Sequence, residues 1–297
     1  MTKLGHSYIR ISFYSMAMTV LVSMFLWRFD VHDGVALVSE YGHFFIIGLF
    51  AATIANATGA GGGIVFLPAF VLLGLSVPQA LATSFAIQCF GMTSGTLTWL
   101  ALARRESRYD GHCWGQLNSV LWLTLPAAWA GLLLAQTAMP TPPFNVHYLF
   151  SAFSIVIGLL MLYRLRHTDK TSSPSLNIGQ KALIVVSSFI GGIITWWLSI
   201  GVGEILAIVL LMVGFNIRFS ITVAVIVSAA SVWLALPYYL NLSDTINYKV
   251  LLFAAPAALF GGFIARHLAV AISAVRLKMA LSLWIILSGL LYLLLPH

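Results

Sequence analysis

The chain has 297 residues, 60% of them hydrophobic and only 8% charged, where an ordinary soluble domain is about 45–50% apolar and about 25% charged. Its 15 Lys and Arg and 8 Asp and Glu cannot cover a globule of this size in water, and a mean hydropathy of +0.98 excludes a soluble enzyme. The small, scattered basic excess fits the cytoplasmic loops of a membrane protein and not a nucleic-acid-binding face.

Cysteine usage removes two further classes. Cys89 and Cys113 are the only cysteines and form no CxxC pair, which excludes a disulfide scaffold and a thiol carrier. The apolar runs last about 15 to 25 residues, whereas outer-membrane barrels alternate over about ten. The expected fold is therefore an all-α polytopic membrane protein.

In chain order, Ile11 to Phe29 is long enough to span and is followed by Trp27-Arg28-Phe29-Asp30 in place of a small-residue cleavage site, so it reads as a retained helix. Gly42 to Gly74 then runs without a Lys, Arg, Asp or Glu, interrupted at Asn56-Ala57-Thr58-Gly59-Ala60-Gly61-Gly62-Gly63 and at Pro68. As one continuous helix it would reach about 50 Å, well beyond a hydrocarbon core of about 30 Å. Glycine clusters are poor helix interiors, so two helical pieces are expected to meet at the glycines.

Pro78 to Ala103, Leu117 to Ala138 and Asn145 to Leu165 read as simple spans, followed by a polar linker from His167 to Gln180. Lys181 to Gly214 repeats the broken pattern, with Ser199-Ile200-Gly201-Val202-Gly203-Glu204 at the break. Ile217 to Leu240, Tyr248 to His267 and Leu277 to Leu295 complete the chain.

Charge discriminates between hairpins and single crossings at the two breaks. If both are hairpins and the N-terminus is cytoplasmic, 13 Lys and Arg lie inside and only Arg28 and Lys249 lie outside. If each broken segment crosses once, the split becomes 6 against 9. Basic residues favour the cytoplasmic side, which selects the hairpins and places the C-terminus outside.

The halves also match each other. Gly61, Gly63 and Gly74 recur at one constant offset as Gly201, Gly203 and Gly214. Leu125-Pro126-Ala127-Ala128-Trp129-Ala130-Gly131 resembles Ala255-Pro256-Ala257-Ala258-Leu259-Phe260-Gly261, and Gly158-Leu159-Leu160 matches Gly289-Leu290-Leu291. The expected organisation is an N-terminal helix and external loop (1–41), repeat 1 (42–166), a cytoplasmic linker (167–180) and repeat 2 (181–297). Each repeat is a broken-helix hairpin followed by three spans, and the two have inverted topology. Inverted repeats with matched interruptions point to a secondary transporter and to its binding site.

Thr58-Gly59-Ala60-Gly61-Gly62-Gly63-Ile64-Val65-Phe66-Leu67-Pro68, then Leu73-Gly74-Leu75-Ser76 and Ala82-Thr83-Ser84, resembles the signature of the sulfite exporter (TauE/SafE) family of anion permeases. The second copy departs from it. Gly201-Val202-Gly203-Glu204 replaces the glycine triplet, Ile208 stands at the proline position and Val223-Ala224 at that of Thr83-Ser84. The resemblance implies export of sulfite, sulfonates or related oxyanions and carboxylates across the cytoplasmic (inner) membrane.

No Lys or Arg falls mid-span, so the anion must be held otherwise. Helix N-termini carry about half a positive charge and free N–H donors, and glycine lets an oxyanion approach the backbone. The expected site is the pair of glycine tips, Gly61, Gly62 and Gly63 with Gly201 and Gly203, preceding segments that start at Ile64 and Ile205. Asn56, Thr58, Thr83, Ser84 and Gln88 are the side-chain donors expected from the first half, and Trp196, Trp197 and Ser199 from the second.

Glu204 is the only acidic residue inside an apolar segment, and intramembrane ionisable groups are costly enough to be functional by default. It is read as a proton-coupling carboxylate, with stabilisation at a helix start or pairing with Arg218 as alternatives. No metal-ligand cluster and no cofactor are expected. The partners are a small anion and the bilayer, and the sequence leaves dimerisation open. Two other functions fit the residues less well: a cation or metal permease using Glu204, and a membrane assembly factor that transports nothing.

Overall fold

The computed structural model describes residues 34–108, 111–165, 176–242, 245–272 and 274–294; the expected first span, Ile11 to Phe29, lies outside them. The described elements are all helical. The helices are α1 (Gly34–Tyr41), α2 (His43–Thr58), α3 (Gly63–Leu72), α4 (Val77–Glu106), α5 (Gly111–Trp114) and α6 (Leu117–Ala138). They continue with α7 (Val146–Leu165), α8 (Ile178–Leu198), α9 (Val202–Val213), α10 (Ile217–Asn241), α11 (Tyr248–Ala271) and α12 (Ala274–Leu293).

Five described helices are long and apolar enough to cross a membrane, and six if α1 and α2, bent by 49°, make one span. Their outer faces carry side chains that water would not tolerate in such number, among them Trp122 at 79% exposed and Ile46 at 69%. These faces meet lipid. Helix α1 was not expected in the external loop; its GVALVSEY sequence holds no helix breaker after the first residue.

Both long segments break where the glycines are. Helix α2 ends on Gly59 at φ 81°, and α8 ends on Ser199, the matching position of the second half, at φ 59°. A left-handed residue at that position turns the chain out of the helix. The chain then returns along the helix it has left. Phe44 near the start of α2 packs edge-on against Phe70 near the end of α3, with centroids 5.6 Å apart. Ile184 near the start of α8 shares a core with Leu210 and Val213 near the end of α9. Both breaks are hairpins.

Helix α8 begins at Ile178, ahead of the apolar run that starts at Lys181, because Asn177 and Gln180 form a reciprocal capping box. Helix α9 begins at Val202 and not at Ile205, which puts Glu204 inside its first turn.

Contacts between helices pair off when the two halves are exchanged. Helix α2 packs on α11 as α8 packs on α6; α4 meets α11 as α10 meets α6; α3 touches α12 as α9 touches α7. Glycines permit the closest of these crossings. A Cβ at Gly261 of α11 would lie 2.6 Å from the Leu49 oxygen of α2, and one at Gly131 of α6 would collide with the Phe189 oxygen of α8.

At one end of the molecule Arg218, at the start of α10, pairs with Glu106 at the end of α4. Between these residues lie α6 and α7, each of spanning length, and the α8–α9 hairpin. A shared end for Glu106 and Arg218 requires α8–α9 to return to the side from which it came.

Candidate functional site

The two reversals meet. The carbonyl oxygen of Ser199 lies 2.5 Å from the position a Cβ on Gly63 would take, and the carbonyl of Gly59 stands in the same relation, closer still, to Gly203. The contacts are reciprocal, since Gly59 and Gly63 match Ser199 and Gly203 under the offset that relates the halves. Glycine is required at both positions because the opposite backbone already fills the space of a side chain.

Glu204 ties the junction together. Its Oε1 accepts the Gly61 N–H at 2.8 Å, and its Oε2 accepts the Gly201 N–H at 2.8 Å. One carboxylate thus receives one amide from each reversal while only 2% exposed. The bond to Gly201 is the glutamate half of a capping box, since Glu204 is the third residue of α9 and Gly201 is its N-cap. Arg218 is spent on Glu106 and does not neutralise it; the expected alternative of a Glu204–Arg218 pair is corrected. Oriented amides and the positive end of α9 supply the compensation a buried charge needs.

The first half adds a second clasp. The Gly62 N–H donates to Gln88 Oε1 at 2.8 Å, and Gln88 Nε2 donates to Ser199 Oγ at 2.7 Å and to Ser199 O at 3.1 Å. Ser84 Oγ lies 3.0 Å from Ser199 Oγ and accepts from Gln88 Nε2 at 3.1 Å. Ser199 holds a left-handed backbone without being glycine; its hydroxyl sits inside this network, which offsets the strain.

Gly61, Gly62, Gly63, Ser84, Gln88, Ser199, Gly201, Gly203 and Glu204 are therefore brought together. The remaining expected donors stand elsewhere. Asn56 donates to Ala52 O and Gly91 O. Thr58 bonds its own helix at Ile54 O, and its hydroxyl accepts the Ala60 N–H at 3.3 Å. Thr83 Oγ1 accepts the Asn247 N–H at 2.9 Å, tying α4 to the start of α11. Trp197 and Trp196 donate to Met139 O and Pro140 O in the connection between α6 and α7.

Two residues beyond the sequence reading also belong to the junction. Thr195 Oγ1 accepts the Val202 N–H at 2.9 Å, and Ser228 faces Gly203. The only sequence signal for Ser228 is that it follows Gln88 by the same offset that separates Gly61 from Gly201. Among the described residues no group of three or more His, Cys, Asp and Glu could hold a metal ion.

Helices of spanning length around two hairpins whose tips touch define a polytopic membrane protein. The sequence model of the family described as Sulfite exporter TauE/SafE matches residues 44–292, and the chain belongs to that family. It is a permease and not an enzyme. Compared with the curated proteins and with the solved structures, the chain has no match.

Proposed function

We propose that the protein exports a small sulfur or organic oxyanion, such as sulfite, a sulfonate or a carboxylate, across the cytoplasmic membrane, with its transport coupled to protons. The anion binds where the α3 and α9 N-termini meet. The observation that carries this reading is the Glu204 carboxylate, itself an oxyanion, taking one amide from each reversal at 2.8 Å. The substrate takes the same two amides when Glu204 gives them up.

A proton provides the switch. Hydrogen bonds to an ionised acceptor are about twice as strong as neutral ones, so a protonated Glu204 holds Gly61 and Gly201 less firmly and an entering anion displaces it. Loss of the proton restores the carboxylate, which drives the anion off by competition and like-charge repulsion. Two inverted repeats serve this coupling, because hairpins from opposite sides present equivalent tips to either compartment. The return of both hairpins, the shared end of Glu106 and Arg218 and the loop charges support a cytoplasmic N-terminus and an external C-terminus.

Flux of sulfite, sulfoacetate and acetate into proteoliposomes, with and without a pH gradient, tests the reading. A gradient is expected to accelerate flux by the native protein and leave Glu204→Gln unaffected. An unchanged gradient response in Glu204→Gln would remove Glu204 from coupling.

A further inference from the structure

Gln88 of α4 and Ser228 of α10 occupy matching places in the two halves. They do different things. Gln88 spans the junction from the Gly62 N–H to Ser199, and both ends of its amide are in use. Ser228 is 4% exposed, and its Oγ has no hydrogen-bond partner.

Buried polar groups are nearly always paired, and an orphan asks for a reason. On a membrane helix a buried hydroxyl ordinarily satisfies itself on the carbonyl one turn back, as Ser188 does on Ile184 and Thr124 on Val120. Ser228 does not. Its Oγ instead lies 2.5 Å from where a Cβ on Gly203 would stand, against the first turn of α9, whose third residue is Glu204. An unused donor is aimed at the junction from the α10 side, while the α4 side is closed by Gln88.

Resting on the reading that an oxyanion binds between the reversals, we propose that Ser228 reads the third oxygen of the substrate and so sets the preference for trioxo sulfur heads over carboxylates. A carboxylate has two oxygens, and the Gly61 and Gly201 amides use both, as they do for Glu204. Sulfite and sulfonates present a third, for which the junction holds one uncommitted hydroxyl. With a carboxylate bound, Ser228 stays unpaired; with sulfite bound, its O–H donates to the remaining oxygen.

The test measures sulfite flux in proteoliposomes over a range of sulfite concentrations, with acetate as a competing inhibitor. A hydrogen bond to a charged acceptor supports an increase in sulfite KM of about tenfold in Ser228→Ala, with the acetate inhibition constant unchanged. Ser228→Cys, nearly equal in volume but a weak donor, is expected to show the same selective shift. Neither variant is expected to lower the unfolding temperature in detergent, because neither removes a hydrogen bond. A sulfite KM that stays at the native value, or rises in step with the acetate constant, overturns the assignment of Ser228 alone. Native protein that moves no oxyanion overturns both this assignment and the reading beneath it.

Discussion

Two side chains at the junction bond to backbone of the opposite half. Glu204 reaches Gly61 in repeat 1, and Gln88 reaches Ser199 in repeat 2. Removing the Glu204 side chain would leave two buried amides without acceptors, each costing about 1–3 kcal/mol. Glu204→Ala is accordingly expected to lower stability by about 2–6 kcal/mol, while Glu204→Gln, which keeps an acceptor oxygen, loses much less. Detergent unfolding of the two variants side by side checks the order; equal losses would show that the carboxylate does not clasp both reversals. The importance of Glu204 could be read from sequence, because a lone acid in an apolar run is conspicuous. The destinations of Thr83 and Trp197 could not: they depend on the rotation of α4 and α8 about their axes, which tertiary packing sets.

At the scale of elements, a proline explains a contact that sequence did not suggest. Pro68 lacks the N–H that would bond the Ile64 carbonyl one turn earlier. Ser288 of α12 supplies the missing donor at 2.7 Å, beside an apolar crevice of 280 Å³ lined by Phe50, Pro68 and Trp284 among others. Ser288→Ala is expected to cost about 1 kcal/mol, and Pro68→Ala, which restores the amide, should make the protein indifferent to that loss. A double-mutant cycle on unfolding free energy measures the coupling; additive effects would mean that Ser288 does not serve the carbonyl left by Pro68. The breaks themselves were legible because the uncharged run from Gly42 to Gly74 exceeds one span and glycines mark where helix stops. The extra turn of α8 and the early start of α9 were not, because capping by the Asn177 and Glu204 side chains, and not hydrophobicity, fixes those ends. Helix α4 shows the opposite effect: Ser84, Gln88 and Ser94 lower its hydropathy, yet all three are buried.

At the scale of the whole molecule, exchange of the two halves preserves the pattern of helix contacts, but the junction is asymmetric in chemistry. One half contributes a glycine triplet and Gln88, and the other contributes Glu204 and Ser228. Fold and hairpin placement were legible from the constant glycine offset because backbone geometry repeats with it; positive φ recurs at Gly74 and Gly214 as at Gly59 and Ser199. The asymmetry was only partly legible, since a buried serine is commonplace until its neighbours are known. The topology has its own check. Cysteines placed at Arg105 and Lys249 are expected to react with an impermeant thiol reagent from opposite faces, Arg105→Cys from the cytoplasm and Lys249→Cys from outside. Labelling of both from one face would refute the paired hairpins.

The proposed anion site is the point where the two chain reversals touch, and crowding that point tests it most directly. A Cβ at Gly62 would already lie 2.9 Å from the Phe66 ring and 3.0 Å from Gln88 Cγ, so Gly62→Leu obstructs the junction with little effect on the outer helices. The deciding measurement is sulfite flux in proteoliposomes for native protein and Gly62→Leu, with folding of each verified by its unfolding transition. Native protein is expected to carry sulfite and a folded Gly62→Leu to carry none; flux at the native rate through Gly62→Leu would contradict the site.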